Sequence, residues 1–129
     1  MPNAAALKVL IVDDQYSVRQ VTRMALEEIG VRHILESEDG KAAFETVSAQ
    51  PLDLIISDYN MPVMDGLDLL RAIRGRPAVR KLPFILLTGR GDRELVVSAA
   101  QAGVNNYLIK PFTAAILRTK IEQVMGKLS

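Results

Sequence analysis

Apolar positions along this chain follow two alternating spacings. Short runs, mostly of Val, Ile and Leu, occur at "KVLIV" (8–12), "HILE" (33–36), "LDLII" (52–56), "PFILL" (83–87) and "NYLIK" (106–110). Runs of that length and composition predict buried β-strands. Between them the apolar residues recur every three or four positions, which predicts helices. Val18, Val21, Thr22, Ala25, Leu26 and Ile29 form one such stripe, stopped by Gly30. Asp65, with Asp68 three residues on, caps a helix that Gly75 closes. "GDRELVVSAAQAG" predicts a further helix ending at Gly103, and Leu117, Ile121, Val124, Met125 and Leu128 make the last stripe. The segment 39–48 carries the weakest periodicity, through Ala43, Phe44 and Val47.

The order is thus strand then helix, repeated five times. Such alternation predicts an α/β fold, a parallel sheet with helices on both faces. No repeat, low-complexity stretch or linker interrupts it, so residues 1–129 are expected to form one domain.

Composition narrows the function. Lys plus Arg number 16 and Asp plus Glu 15, giving a net charge of +1. That balance argues against a general polyanion binder, so no direct contact with nucleic acid is expected. The chain has no cysteine, which excludes disulfides, thiol catalysis and thiolate-bound metals and suits a cytoplasmic setting. The opening "MPNAAALKVLIVDD" lacks the features of a signal peptide, and no apolar run is long enough to span a membrane.

In an open parallel sheet, ligands sit beyond the carboxyl ends of the strands, where strand order reverses. The residues that follow each apolar run are therefore the informative ones. They are Asp13 and Asp14 after the first run, Asp58 after the third, Thr88 and Gly89 after the fourth, and Lys110-Pro111 after the fifth. Each has a plain structural reading. A "DD" pair often starts a helix, a lone Asp often forms a turn, and "KP" often precedes a helix. Together they gather acids, a hydroxyl and an ammonium at one edge. Clustered carboxylates repel and raise one another's pKa values, a conflict that a hard cation such as Mg²⁺ removes. An Asp beside a cation and a Lys can act as a nucleophile toward phosphorus. The stretch "SDYNMPVMDG" (57–66) then stiffens the loop after Asp58 with Pro62 and Asp65-Gly66.

On these residues the chain resembles the receiver domains of bacterial two-component response regulators. "VDD" (12–14), "SDYNMPVMDG" (57–66), "TG" (88–89), "AGVNNYLIKPF" (102–112) and "FTAAIL" (112–117) carry the resemblance. "DYNMP", Tyr107 and "KPFTAA" place it nearest the single-domain chemotaxis branch. The resemblance implies a doubly wound, flavodoxin-like sheet of five parallel strands in the order 2-1-3-4-5. It implies that Asp58 accepts a phosphoryl group, and that Asp13, Asp14, Asp58 and the Asn60 carbonyl hold Mg²⁺. It further implies that Thr88 and Lys110 bind the phosphoryl oxygens with the Gly89 N–H nearby, that Tyr107 is the switch residue, and that the Lys110–Pro111 peptide is cis.

The expected function is a phosphorylation-activated signalling switch, which catalyses only its own phosphorylation and dephosphorylation. A sensor histidine kinase would supply the phosphoryl group, and a protein such as a flagellar motor switch component would receive the signal. A phosphorelay intermediate and a receiver cut from a longer regulator are the alternatives. An aspartate-nucleophile phosphatase of the haloacid-dehalogenase type fits less well, because "DDQ" has no acid two residues after Asp13. Arg90, at a position that varies among receivers, is expected to face the surroundings of the phosphoryl group. The basic stretch of Arg71, Arg74, Arg76, Arg80 and Lys81 is expected to be a solvated face, and the single histidine, His33, to be structural or at the surface.

Overall fold

In the computed structural model, residues 2–89 and 93–129 are described. Strands β1 (Lys8–Val12), β2 (His33–Ser37), β3 (Leu54–Asp58), β4 (Phe84–Thr88) and β5 (Asn106–Ile109) alternate with helices α1 (Tyr16–Ile29), α2 (Gly40–Ala49), α3 (Gly66–Arg74), α4 (Arg93–Gln101) and α5 (Ala114–Met125). The strands are parallel and ordered β2-β1-β3-β4-β5, as the resemblance implied. A 3-10 turn at Ala4–Ala6, which periodicity did not predict, precedes β1.

Three strands form the middle of the sheet. β3 and β4 are buried throughout, and β1 everywhere except Lys8. Helices cover both faces of these strands, so continuous apolar runs replace alternation. Val9, Ile11, Ile56 and Leu87 pack on one face with Leu26, Leu117 and Ile121 from α1 and α5. Leu10, Val12, Ile55 and Leu86 pack on the other with Ala43, Leu70, Ile73 and Ala99 from α2, α3 and α4. The edge strands β2 and β5 are only partly covered.

Helix ends follow the local chemistry. Gly30 takes φ +111° and its N–H reaches the carbonyls of Leu26 and Glu27, while Val31 turns back into the core. Asp65 and Asp68 form a reciprocal capping box at the start of α3. Asp39 caps α2 by accepting from the Ala42 N–H, so a good cap supports the segment of weakest periodicity.

Two strands begin later than the apolar pattern suggests. β3 starts at Leu54, and Asp53 just before it is tied to β1 by its N–H on the Lys8 carbonyl and its carboxylate on the Lys8 N–H, each at 2.8 Å. β4 starts at Phe84, because Pro83 has no N–H to give the ladder, although its carbonyl accepts from Ile55. One member of the α1 stripe was also misplaced. Val21 is 56% exposed, whereas Arg19 is buried at 9%.

The β3–α3 loop contains a strained residue. Val63 has φ +67°, and the Met64 N–H bonds back to the Pro62 carbonyl at 2.8 Å, making a three-residue turn. A left-handed conformation costs an L-residue roughly 1–2 kcal/mol. The fully exposed side chain, at 107%, recovers none of it by packing. Glycine removes the strain but adds about 0.5–1 kcal/mol of chain entropy. Val63→Gly is therefore expected to stabilise the protein by about 0.5–1 kcal/mol. Urea unfolding with an unchanged m-value measures it, and a lower midpoint would show that Val63 is held by something other than turn geometry.

Candidate functional site

Sheet topology builds the site. The chain leaves β1 toward β2 on one side and returns to β3 on the other, so strand order reverses between β1 and β3. In that pair Val12 stands opposite Ser57. Asp13 and Asp58, each one residue further, therefore emerge side by side. With Asp14 they form a cluster in which one carboxylate oxygen from each lies within 4.8 Å of the others. Asp13 and Asp58 are buried and Asp14 is exposed.

Lys110 arrives from the next crossing of the sheet. Its N–H donates to the Thr88 carbonyl at 2.8 Å, and the Lys110–Pro111 peptide is cis, as the resemblance implied. The Lys110 Nζ donates to Asp58 Oδ1 at 2.9 Å and lies 4.0 Å from Asp13 Oδ2. Thr88 is buried at the end of β4. Gly89 follows at the surface, where an added Cβ would meet nothing within 4 Å, so packing does not require glycine there.

Asp13 shows the electrostatic conflict most directly. Its Oδ1 accepts from the Gln15 N–H at 2.9 Å, whereas its buried Oδ2 has no hydrogen-bond partner among the described residues. Burial pushes its pKa up most; the Gln15 N–H opposes, the Asp58 charge raises it, Lys110 lowers it and Asp14 raises it. Repulsion among the acids thus acts in the expected direction, but desolvation is the larger cause. An orphaned carboxylate oxygen facing two more carboxylates fits a hard divalent cation with oxygen ligands.

The sign of the stability effect follows. A carboxyl whose folded pKa is raised binds protons more readily in the fold, so its contribution falls as pH rises through the window between the unfolded and folded values. At neutral pH without metal, the ionisation of Asp13 therefore costs the fold stability. Asp13→Asn keeps the acceptor for Gln15 and removes the charge. It is expected to melt above wild type at neutral pH, with the advantage shrinking as pH falls through the raised pKa of Asp13. Melting curves across that range without divalent ions check this. An equal or lower melting temperature at neutral pH would contradict it.

The loop after Asp58 is tied at both ends. The Tyr59 N–H donates to the Leu87 carbonyl and the Gly66 N–H to the Tyr59 carbonyl, both at 2.8 Å, and Met61 is buried between them. Gly66 passes so close to β3 that an added Cβ would collide with the Asp58 carbonyl oxygen. Glycine is required there by close approach, not by φ. Asn60 is exposed within this loop, two residues past Asp58.

Tyr107 is half-buried on β5, on the face packed with α2, α3 and α4, and Leu108 points to the opposite face. In register it stands opposite Leu86, as Ile109 stands opposite Thr88. The Lys120 Nζ lies over its ring, 5.2 Å from the centroid. His33 is exposed at the start of β2, away from the acids, as expected. Arg90 lies outside the described residues.

Two charged groups escaped the sequence reading. Arg74, placed on a solvated face, instead donates to the carbonyls of Gly103, Arg80 and Leu82 and to Asn105 Oδ1, at 2.7–3.0 Å. Burial lowers its pKa. Arg71, Arg76, Arg80 and Lys81 are exposed as expected, and the Arg76 guanidinium also lies over the Phe44 ring. Arg19, in turn, pairs with Glu36 at 3.0 Å. Its signal was helical spacing, because Arg19, Thr22 and Leu26 fall at i, i+3 and i+7, and the last two face the core.

A doubly wound five-stranded sheet with an acid cluster at its switch point and a lysine on the central acid defines the class. The chain belongs to the response regulator receiver domain family, whose model matches residues 9–122. It is 46% identical over 128 residues to the probable chemotaxis protein CheY of Rhizobium etli, covering 99% of both chains. The structure of the chemotaxis protein CheY4 of Vibrio cholerae aligns with TM-score 0.86 at 32% identity, over 92% of this chain and 98% of that one. The receiver domain of the sensor histidine kinase PA1611 of Pseudomonas aeruginosa, which has a magnesium ion coordinated in its active-site cleft, aligns with TM-score 0.84. It is 31% identical over 94% of this chain and 98% of that one. Among the described residues, no helix is long and apolar enough to cross a membrane.

Proposed function

We propose that this protein is a phosphorylation-driven switch in chemotaxis signalling, with Asp58 as the phosphoacceptor. The observation that carries this reading is the Lys110 ammonium, 2.9 Å from an Asp58 oxygen, beside the orphaned Asp13 Oδ2. A carboxylate so placed is buried, ionic and adjacent to a cation site, which suits attack on phosphorus.

Asp13, Asp14, Asp58 and the Asn60 carbonyl would hold Mg²⁺. The magnesium in the Pseudomonas receiver supports the choice of ion. When bound, Mg²⁺ neutralises charge on the transferring phosphoryl oxygens. The chain's own groups do the rest. An Asp58 carboxylate oxygen forms the new O–P bond while the donor's leaving group departs with its bonding electrons. Lys110 moves from pairing Asp58 to pairing the added phosphoryl oxygens, and the Thr88 hydroxyl and Gly89 N–H donate to those oxygens. Tyr107, two register positions from Thr88, then changes its packing as Thr88 is drawn toward the phosphoryl group.

The donor is a sensor histidine kinase and the receiver of the signal a flagellar motor switch protein, both in the cytoplasm. Similarity to chemotaxis proteins over nearly the whole chain supports that setting. The domain catalyses only its own phosphorylation and dephosphorylation.

The experiment is incubation with acetyl phosphate and Mg²⁺ followed by intact mass. One phosphoryl adduct is expected, removed by neutral hydroxylamine, which cleaves acyl phosphates. No adduct, or one that resists hydroxylamine, would overturn the assignment to a carboxylate.

A further inference from the structure

Asp13 is aimed by contacts on its backbone as well as its side chain. Its N–H donates to the Ser37 carbonyl on β2 at 3.1 Å. Its carbonyl accepts from Arg19 Nη1 on α1 at 2.7 Å. Its Oδ1 is occupied by the Gln15 N–H, which leaves Oδ2 turned toward the acid cluster. Rotation of the 13–14 peptide would redirect the chain toward Gln15 and displace the N–H that holds Oδ1, and the Arg19 bond resists that rotation.

Arg19 is itself immobilised. Its Nε donates to Glu36 Oε1 at 3.0 Å, and the Tyr16 ring lies over its guanidinium, 5.5 Å from the centroid. Glu36 is fixed in turn by Gln20 Nε2 at 3.1 Å and Arg23 Nε at 2.7 Å. Burial pushes the Glu36 pKa up, but hydrogen bonds from Arg23, Arg19 and Gln20 outweigh it and hold the group ionised. A planar guanidinium with separate donors can bridge a carboxylate and a carbonyl, which an ammonium does poorly.

We propose that Glu36 and Arg19 are positioning residues for Asp13: Glu36 orients Arg19, Arg19 clamps the Asp13 carbonyl, and the pair sets how tightly the acid cluster takes a divalent cation. The inference rests on the reading of that cluster as a Mg²⁺ site. Outer contacts of this kind typically change metal affinity by about 10- to 100-fold when removed.

The test is calorimetric titration of Mg²⁺ into unphosphorylated wild type, Arg19→Lys, Glu36→Gln, Arg32→Gln and Asp14→Ala. Amide NMR of the metal-free proteins and melting curves accompany it. Arg19→Lys and Glu36→Gln are expected to melt cooperatively, to bind Mg²⁺ about 10-fold more weakly or worse, and to shift the Gln15 amide before any metal is added. Arg32→Gln removes an exposed cation just before β2, at the end of the sheet opposite the acids, and is expected to keep wild-type affinity. Wild-type affinity in Arg19→Lys overturns the proposal, as does equal weakening in Arg32→Gln. Should Glu36→Gln fail to fold, Arg19→Lys carries the test. If wild type and Asp14→Ala bind Mg²⁺ alike, the metal reading itself fails. The Gln15 amide then still decides whether the pair positions Asp13: an unmoved resonance in Arg19→Lys overturns that part too.

Discussion

Asp58→Asn is expected to take up no phosphoryl group from acetyl phosphate and Mg²⁺ under conditions that modify wild type. The amide is nearly isosteric, so β3 and its register with β1 and β4 are kept. What changes is chemistry. The amide oxygen is a poor nucleophile, and the site loses the charge that Lys110 pairs at 2.9 Å. A neutral residue also relieves Asp13, because the Asp58 charge contributes to the raised pKa of Asp13. The variant should therefore be folded, and a missing adduct cannot be blamed on misfolding. Intact mass and a melting curve on the same sample check both points. An adduct of wild-type yield would move the phosphoacceptor to another residue, and Asp13, the other buried acid of the cluster, would be examined first.

Arg74→Ala is expected to be among the most destabilising single changes outside the apolar core, at about 2–4 kcal/mol. The guanidinium ties the end of α3 to the segment before β4, through the Arg80 and Leu82 carbonyls, and to the α4–β5 turn, through Gly103 and Asn105. Asn105 in turn accepts from the Phe84 N–H at 2.8 Å, so one side chain organises the entry to both β4 and β5. Hydrogen bonds to a charged donor contribute about 1.5–3 kcal/mol each when buried. Several of these acceptors are exposed and can turn to water, which holds the total well below the sum. For a chain of this length the loss lowers Tm by about 10 °C. Arg74→Lys should recover only part of it, because an ammonium cannot span the same acceptors. A Tm drop of a degree or two in Arg74→Ala would mean that the segments hold without it. Phosphorylation yield should change little at temperatures where the variant is folded.

Arg74 also shows where sequence reading stops. It stands among other basic residues at the end of an amphipathic helix, and that pattern on its own reads as a solvated face. Its acceptors are mainly backbone carbonyls, which every residue carries, so no side-chain type in the sequence marks them. Arg19 was more legible. A charge at i with core residues at i+3 and i+7 must be neutralised by a partner, although nothing local names Glu36 on a different element as that partner. Val21 failed for a related reason. The buried face of α1 is turned toward Arg19, Thr22 and Leu26, which leaves Val21, at the opposite edge of the stripe, in solvent.

The sequence by itself determined the alternation of strands and helices, the caps at Asp65 and Gly30, and the residues that could do chemistry. Those features are local: side-chain spacing, a capping oxygen and the freedom of glycine act within a few residues. The acids could also be named in advance, because a polar residue directly after a buried apolar run must lie at a strand end. That Asp13 and Asp58 share one site was expected from the strand ends, but only the tertiary structure set how they meet, through β3 pairing with β1 in a register that puts Val12 against Ser57. It alone decided that Asp13 Oδ2 is buried with no hydrogen-bond partner among the described residues, that Gly66 is needed by the nearness of the Asp58 carbonyl, and that Arg19 and Arg74 are tied down rather than solvated. Each of these depends on what distant segments bring within about 3–4 Å, the range over which hydrogen bonds, steric exclusion and desolvation act.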